Sequence, residues 1–188
     1  MKASTAAAPD RVRDDYAALV RAASGGDATS VERLLVRAQE VAYRFSLLVC
    51  GHVEDAEDVM QDALLRTYEH VKDIDNPEAF RTWLYSTVRN ACLMKRRRRA
   101  GEPTRFAPLD DAGRRTHDGA AHGDPWIDRR LHAALASLPP SYRAILVLRE
   151  IEGLSTRETA AVTHLSEDNV KTRLHRARVM LRHRMEGA

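Results

Sequence analysis

Apolar residues recur at intervals of three and four along most of the chain, which is the spacing that places them on one face of an α-helix. In the first half, this pattern predicts helices over residues 14–24, 28–49, 54–71 and 78–98. In the second half, it predicts helices over residues 125–138 and 142–152, and a pair of short helices within 154–182. No stretch alternates apolar and polar residues as a half-buried strand does. The predicted fold class is therefore all-α.

A stretch without apolar periodicity separates the two groups of helices. Residues 101–124 contain four glycines, two prolines and five acidic residues. This composition is typical of a flexible linker. The sequence therefore predicts two small helical domains, at residues 14–100 and 125–186, joined by a flexible linker at residues 101–124.

The last third of the chain carries local signals for two helices joined by a tight turn. Ser155 precedes Glu158 by three residues, which is the spacing of a capping box at the start of a helix. Gly153 suits the left-handed end of the preceding helix, and Ser166 is placed to cap the second helix of the pair. Such a helix-turn-helix can place its second helix in the major groove of DNA.

The second helix of this pair is basic. Its predicted buried stripe consists of Val170, Leu174, Ala177 and Leu181. Its other faces carry Lys171, Thr172, Arg173, His175, Arg176, Arg178 and Arg182. Positive charge at this density is favourable beside a polyanion, because each Lys or Arg that reaches a phosphate releases counterions. A solvated basic surface is the alternative explanation, so charge alone does not decide between the two.

The helix predicted over residues 54–71 has an acidic face. Its apolar stripe consists of Ala56, Val59, Met60, Ala63, Leu64, Tyr68 and Val71. The opposite face carries Asp55, Asp58, Gln61, Asp62 and Glu69. This acidic face suits a basic protein partner, although it also fits a surface that only keeps the protein in solution.

The helix predicted over residues 78–98 combines aromatic and basic residues. It contains Phe80, Trp83, Leu84 and Tyr85 together with Arg81, Arg89, Asn90 and the basic run at residues 95–99. Rings that stack on bases, beside cations that follow the backbone, are what binding of single-stranded nucleic acid requires. Phe80 and Leu84 are predicted to lie in the core, whereas the sequence leaves open whether Trp83 is a core residue or a stacking surface.

Composition limits the remaining possibilities. The 188 residues carry a formal net charge of +3, and 44% of them are hydrophobic, which is enough to build the cores of two small domains. No apolar run is long enough to span a bilayer, and the first residues lack the apolar segment of a signal peptide, so a cytoplasmic protein with no membrane insertion is expected. Cys50 and Cys92 lie outside any metal-ligand spacing and are expected to be free thiols, with neither a zinc site nor a disulfide indicated.

Three segments resemble the bacterial RNA polymerase sigma factors of the extracytoplasmic function (ECF) type, group IV of the sigma-70 family. They read DAEDVMQDALLRTYEHV, EAFRTWLYSTVRNACLMKRRRR and SLPPSYRAILVLREIEGLSTRETAAVTHLSEDNVKTRLHRAR, and they follow one another in the family's order. The resemblance implies sigma region 2 at residues 14–100 and sigma region 4 at residues 125–186. The linker would stand in place of region 3.

The resemblance also implies roles for individual residues and partners. The clamp helices of the polymerase β′ subunit would be bound by Asp58, Gln61 and Asp62, and the β flap would be a second polymerase contact. The -10 promoter element would be melted and bound by Asp75, Asn76, Trp83, Arg89, Asn90, Lys95 and Arg96. The -35 element would be bound as double-stranded DNA by Lys171, Thr172, Arg173, His175 and Arg176.

Two other functions compete with this interpretation. A stand-alone helix-turn-helix regulator would explain residues 154–182, but neither the acidic helix nor the segment around Trp83. An enzyme has little support, because the histidines are scattered and no Ser/His/Asp arrangement or glycine-rich phosphate loop is present. We therefore expect a sigma factor with no catalytic residue, metal or cofactor. The resemblance implies control by a separate anti-sigma factor, which would hold the chain at the membrane if that factor is membrane-bound.

Overall fold

A computed structural model describes residues 8–99 and 129–186, and within these ranges it contains α-helices and short helical turns but no strand. The first group of helices is α1 (Ala8–Ser24), α2 (Ala28–Cys50), α3 (Val53–His70) and α4 (Phe80–Arg99). The second group is α5 (Arg129–Ala136), α6 (Pro140–Leu146), α7 (Thr156–Thr163) and α8 (Glu167–Glu186). The predicted all-α fold is confirmed. The predicted linker at residues 101–124 lies outside the described residues.

Helix α2 is the centre of the first group, because it packs against α1, α3 and α4. It begins where the Asp27 carboxylate accepts the backbone N–H of Ser30 at 2.9 Å, and it ends at Gly51, whose φ of 85° is a left-handed conformation. Its inward face buries Leu34, Ala38, Ala42, Phe45 and Leu48. The helix predicted over residues 28–49 therefore matches the structure to within one residue.

The turn between α3 and α4 is built from two short 3-10 segments, Val71–Asp73 and Pro77–Ala79. The side chain of Asn76 accepts the backbone N–H of Glu78 at 3.1 Å, and Pro77 follows as the first residue of the second segment. This turn lies where the sequence predicts a break. At the other end of the group, α1 begins at Ala8, six residues before the predicted start.

The helix caps that the sequence predicts are present in the second group of helices. The Ser155 hydroxyl accepts the N–H of Glu158 at 3.1 Å, and the Glu158 carboxylate accepts the N–H of Ser155 at 2.8 Å, so the capping box is confirmed. Gly153 has a φ of 66°, as expected for a left-handed residue, and the Ser166 hydroxyl accepts the N–H of Asn169 at 3.3 Å. These contacts cap the start of α7 and the start of α8.

The path of the chain into the helix pair includes one irregular turn. Helix α6 continues through Val147–Ile151 as a π-helical turn, which ends at Glu152.

Three of the four predicted stripe residues of α8 are buried, namely Val170, Leu174 and Ala177. Of the helix predicted over residues 125–138, residues 125–128 lie outside the described residues.

The two groups of helices pack against each other. Helix α4 contacts α7, and α2 contacts α6. One continuous cluster of buried hydrophobic side chains includes Phe45 and Tyr85 from the first group together with Tyr142, Leu148 and Leu154 from the second. The sequence predicts two domains but gives no sign of this shared core, because its residues are distant along the chain.

The prediction of free thiols is wrong. Cys50 and Cys92 form a disulfide, with their Cα atoms 4.8 Å apart although the two residues are 42 positions apart in the sequence. That Cα separation lies within the range that a disulfide requires. Cys50 is the last residue of α2 and Cys92 lies within α4, so the packing of these helices brings together two cysteines whose sequence spacing carries no signal.

Candidate functional surfaces

The predicted acidic face of α3 is exposed except at Asp55, which is buried at 7% exposure. Asp58, Gln61 and Asp62 all point to solvent, while Val59 and Ala63 are buried against the core. The structure therefore brings the three predicted side chains onto one surface, with Asp58 held by an ion pair to Lys95 at 2.6 Å.

Two large hydrophobic side chains extend this surface. Leu65 is 56% exposed and Tyr68 is 62% exposed, beside the acidic residues of the same helix. The prediction that Tyr68 belongs to the buried stripe is wrong, since the helix turns its ring to solvent. Leu65 is not among the residues predicted from the sequence to form a binding surface. It follows Leu64 directly, and adjacent residues of a helix point in different directions, so the two side chains cannot both lie at the centre of one narrow apolar stripe. Exposed apolar groups among charges are a common feature of protein-binding surfaces.

The loop before α4 and the first turns of α4 place the next predicted residues. Asp75 and Asn76 are exposed, and Asn76 is also the cap of the following turn. Trp83 is 36% exposed and its ring centroid lies 5.7 Å from that of Phe80, which is itself only 2% exposed. The core prediction for Phe80 is thus confirmed. The ring of Trp83 is therefore partly exposed and lies next to the buried ring of Phe80.

The middle of α4 is less accessible. Arg89 is only 3% exposed, and its Nη1 donates to the side-chain oxygen of Asn90 at 3.0 Å. Burial, together with the nearby charges of Arg173 and Arg97, lowers the pKa of Arg89 to about 10. Partial burial also lowers the pKa of Arg96. Arg89 and Arg96 therefore lie on the side of α4 that faces the second group of helices, near Arg173 and Arg143 respectively.

Helix α8 presents the predicted basic residues on consecutive turns. Lys171, Thr172, His175 and Arg176 are exposed, whereas Arg173 is half-buried on the side that reaches toward Arg89. Lys171 pairs with Asp168 at 3.1 Å, and further along the helix Arg178 pairs with Glu150 at 2.6 Å. Four of the five predicted side chains thus share an accessible surface, and the fifth lies at the contact between the two groups.

A metal or membrane role finds no support in the described part of the chain. Among residues 8–99 and 129–186 there is no group of three or more His, Cys, Asp or Glu side chains arranged to hold a metal ion. None of the helices described is long and apolar enough to cross a bilayer.

Comparison with known proteins identifies both helical groups. The model of the sigma-70 region 2 family matches residues 31–102, and that of the sigma-70 region 4 family matches residues 128–181. The ECF RNA polymerase sigma factor SigM of Mycobacterium tuberculosis is 33% identical over 165 residues, which cover 88% of this chain and 82% of that protein. SigL of the same species is 32% identical over 162 residues, covering 85% of this chain and 91% of that protein.

Solved structures share the fold. The structure of CnrH in complex with the cytosolic domain of CnrY matches with a TM-score of 0.64 at 24% identity, covering 92% of this chain and 97% of that chain. The sigma factor RpoE of Bartonella quintana, in complex with the anti-sigma factor NepR, matches with a TM-score of 0.62 at 20% identity, covering 82% of this chain and 96% of that chain. From its sequence relatives and its two family matches, this chain belongs to the ECF sigma factors of the sigma-70 family, the regulatory factors that direct promoter-specific transcription initiation.

Proposed function

We propose that this sigma factor binds core RNA polymerase through α3, melts and binds the -10 element with α4 and the loop before it, and reads the -35 element with α8. The observation that carries this proposal is the exposed set Lys171, Thr172, His175 and Arg176, which lies on α8, a helix that begins at the Ser166 cap directly after a tight turn. Such a helix enters a major groove, where cationic and hydroxyl side chains donate to base edges and phosphates.

Binding to core polymerase is assigned to Asp58, Gln61 and Asp62, with the clamp helices of β′ as the partner. These side chains form an exposed acidic surface, and the neighbouring Leu65 and Tyr68 add apolar area at its edge. Charged groups at such a contact increase the rate of encounter and set its orientation, while exposed apolar groups supply area to be buried.

Melting of the -10 element is assigned to Asp75, Asn76, Trp83, Arg89, Asn90, Lys95 and Arg96. Unstacking a base costs a few kcal/mol, and stacking on an aromatic ring offsets about 1–3 kcal/mol of this. Trp83 suits that role because its ring is partly exposed and rests on buried Phe80. Lys95 and Arg96 on α4 supply cations that follow a single-stranded backbone, whereas Arg89, at 3% exposure, reaches that backbone only after a change in packing.

The β flap of the polymerase is proposed to bind region 4 at an apolar groove between α5, α6 and α8. The hydrophobic side chains that line this groove are Leu131, Leu135, Leu146, Ile151, Leu181 and Met185. An apolar helix or loop fits a groove of this kind, since its own apolar face is then removed from water.

An anti-sigma factor is proposed as the regulator. The Bartonella quintana sigma factor that shares this fold is bound to one in its solved structure. We place the protein in the cytoplasm, where the polymerase acts, with tethering at the membrane only through a membrane-bound anti-sigma factor.

The core-binding assignment is tested with Asp62→Arg in the full chain. The matched control is Glu32→Arg, which makes the same change of charge at an exposed position on α2, outside all of the assigned sets. Wild type and control should co-elute with bacterial core polymerase and support transcription from a promoter enriched with this protein on chromatin. Asp62→Arg should lose both. Equal retention of Asp62→Arg and Glu32→Arg would contradict the assignment, and failure of the wild type to bind core would contradict the function.

A further inference from the structure

Helix α1 lies against the loop that is proposed to bind the -10 element, residues 71–79, which we call the -10 loop. It packs against both 3-10 segments of that loop, Val71–Asp73 and Pro77–Ala79, and against α4. Its side chains Tyr16 and Val20 are buried in the main hydrophobic cluster. No residue of α1 carries an assigned role, although the helix contacts both ends of the -10 loop.

One ion pair joins α1 to the -10 loop. The guanidinium Nη1 of Arg21 lies 3.1 Å from Oε1 of Glu78, which is 57 residues further along the chain. The backbone N–H of the same Glu78 donates to Oδ1 of Asn76 at 3.1 Å. Glu78 is therefore held to α1 by its side chain and to Asn76 by its backbone. Because of this double connection, a shift of Glu78 also shifts Asn76, which is proposed to bind the melted strand.

Buried side chains hold the two ends of the -10 loop, whereas Asp75 and Asn76 in its middle are exposed. Val71 is 3% exposed at one end, and Phe80 is 2% exposed where α4 begins at the other. The ring centroid of Phe80 lies 5.9 Å from that of Tyr16 on α1. The contact between Arg21 and Glu78 therefore acts on the part of the loop that the core leaves open to solvent.

The exposure of this ion pair separates its effect on function from its effect on folding. The side chains of Arg21 and Glu78 are 58% and 46% exposed. An ion pair this open to solvent contributes little to stability. A binding site nevertheless depends on the position of its side chains to within about 0.5 Å. A loop that is held in place beforehand also loses less conformational entropy on binding. Loss of the pair should therefore weaken binding of the strand more than it weakens the fold.

The position of Arg21 also allows a simpler explanation. Arg21 lies in the last turn of α1, which ends at Ser24. A cation there is favourable beside the partial negative charge at the end of a helix. This helix-end role needs only Arg21, whereas a role in holding the loop needs both partners. Variants of Glu78, which leave Arg21 in place, distinguish the two explanations.

We propose that Arg21 is a positioning residue for the -10 element, and that through Glu78 it holds Asn76 and the -10 loop in the conformation that accepts the melted strand. This inference rests on the proposed role of the loop in binding the -10 element. In this role Arg21 acts through Glu78 rather than on the DNA. Helix α1 thereby becomes part of the apparatus that binds the melted strand.

The proposal is tested with Arg21→Glu, Glu78→Arg and the exchanged pair Arg21→Glu/Glu78→Arg, each assembled with core polymerase. The exchanged pair keeps the net charge of the wild type and can re-form the contact with its charges reversed. Arg33→Glu is the matched control, because it makes the same change of charge as Arg21→Glu at an exposed position on α2.

Two further measurements check that the variants are intact. Urea unfolding of each free chain reports its stability, and retention on core polymerase reports its assembly. Glu78→Arg leaves α1 unaltered, so it keeps the test valid if Arg21→Glu destabilises that helix.

The quantity to measure is a ratio of two affinities of the assembled polymerase. The first is for a single-stranded oligonucleotide with the non-template -10 sequence of a promoter enriched with this protein on chromatin. The second is for an oligonucleotide with the same bases in scrambled order. Each single variant should lower the ratio by about fivefold, which corresponds to the upper limit for an exposed ion pair. The exchanged pair should restore the ratio, and Arg33→Glu should leave it unchanged. A general loss of folded protein would lower both affinities and leave their ratio as it is.

Glu78→Arg gives the sharpest result, since it adds positive charge close to the bound strand. Non-specific attraction would increase both affinities, and a helix-end role for Arg21 would leave the ratio unchanged. A ratio for Glu78→Arg equal to that of the wild type or higher would overturn the proposal, and so would an exchanged pair whose ratio stays low. A wild type without preference for the -10 sequence would instead contradict the proposed function of the loop, and the inference with it.

Discussion

The ammonium nitrogen of Lys95 lies 2.6 Å from Oδ2 of Asp58, so an ion pair joins the helix proposed to bind melted DNA to the surface proposed to bind core polymerase. Asp58 is 62% exposed at its side chain and Lys95 is 26% exposed. A pair this open to solvent contributes roughly 0–1 kcal/mol to stability. Asp58 can therefore affect polymerase binding directly, or indirectly by holding α4 through Lys95.

Reversing the pair distinguishes these two routes. Asp58→Lys alone should weaken core binding and lower stability by up to about 1 kcal/mol, because it places two cations side by side. The double variant Asp58→Lys/Lys95→Asp should recover the stability, measured by urea unfolding, but not the affinity for core polymerase. If the double variant binds core as tightly as wild type, Asp58 acts through Lys95 and does not contact the polymerase. Glu32→Lys, at an exposed position on α2, controls for net charge.

The capping box sets the start of the helix-turn-helix. Ser155→Ala removes the oxygen that accepts the N–H of Glu158, and we expect a loss of about 1 kcal/mol in the free energy of unfolding. Ser155→Asp should retain most of the stability, since aspartate caps as well as serine. Ser166→Ala should cost less, because its single capping bond is longer, at 3.3 Å. Urea unfolding of the three variants checks this order, and equal losses for Ser155→Asp and Ser155→Ala would contradict it.

The features that could be predicted from sequence depend on contacts between near neighbours. The Ser155 and Glu158 box spans three residues, and the stripe through Val170, Leu174 and Ala177 repeats with each turn of one helix. Such patterns need no knowledge of the tertiary fold. The exposure of the basic residues on α8 follows from the same periodicity, because the opposite face is the buried one.

The features that could not be predicted depend on how distant helices pack. Glu152 looks like an ordinary acidic residue at the end of a helix, and only the fold places Arg44, 108 residues away, beside it. The sequence spacing of Cys50 and Cys92 carries no information about their distance in space. Tyr68 illustrates the reverse error, since helical periodicity predicts it on the buried side, whereas its side chain is 62% exposed.

The disulfide joins the end of α2 to the middle of α4 and closes a loop of 42 residues. Cross-linking a loop of this length restricts the unfolded chain and stabilises a fold by roughly 2–4 kcal/mol. Dithiothreitol should therefore lower the unfolding midpoint of the wild type but leave that of Cys50→Ala/Cys92→Ala unchanged. The quantity to compare is the change in unfolding midpoint that dithiothreitol causes in each protein. This comparison separates the effect of the disulfide from the effect of truncating the buried side chain of Cys92. An unchanged wild-type midpoint, with thiol titration showing full reduction, would rule out this stabilisation.

The protein is expected to lose stability at high pH, because ionisation of two buried tyrosines, Tyr16 and Tyr85, is unfavourable in the folded state. Burial raises the pKa of Tyr16 from 10.0 to about 12, and its hydroxyl donates to the carbonyl oxygen of Arg37 at 3.1 Å. Burial also raises the pKa of Tyr85 well above its usual value, and the adjacent Glu152 carboxylate adds to this shift. The fold thus prefers the neutral phenols, so their contribution is complete below pH 10 and is lost as pH rises through about 12. A rise of this size corresponds to up to roughly 3 kcal/mol for Tyr16.

Urea unfolding at several pH values above neutrality should show a midpoint that falls once the pH exceeds about 10, which is where free tyrosine ionises. Tyr16→Phe and Tyr85→Phe should each show a shallower fall than wild type, because each lacks one phenol that resists ionisation. Tyr85→Phe also removes the hydroxyl that donates to Glu152, so its stability at neutral pH should be lower as well. A midpoint that falls equally steeply in wild type and both variants would show that other groups control the alkaline transition.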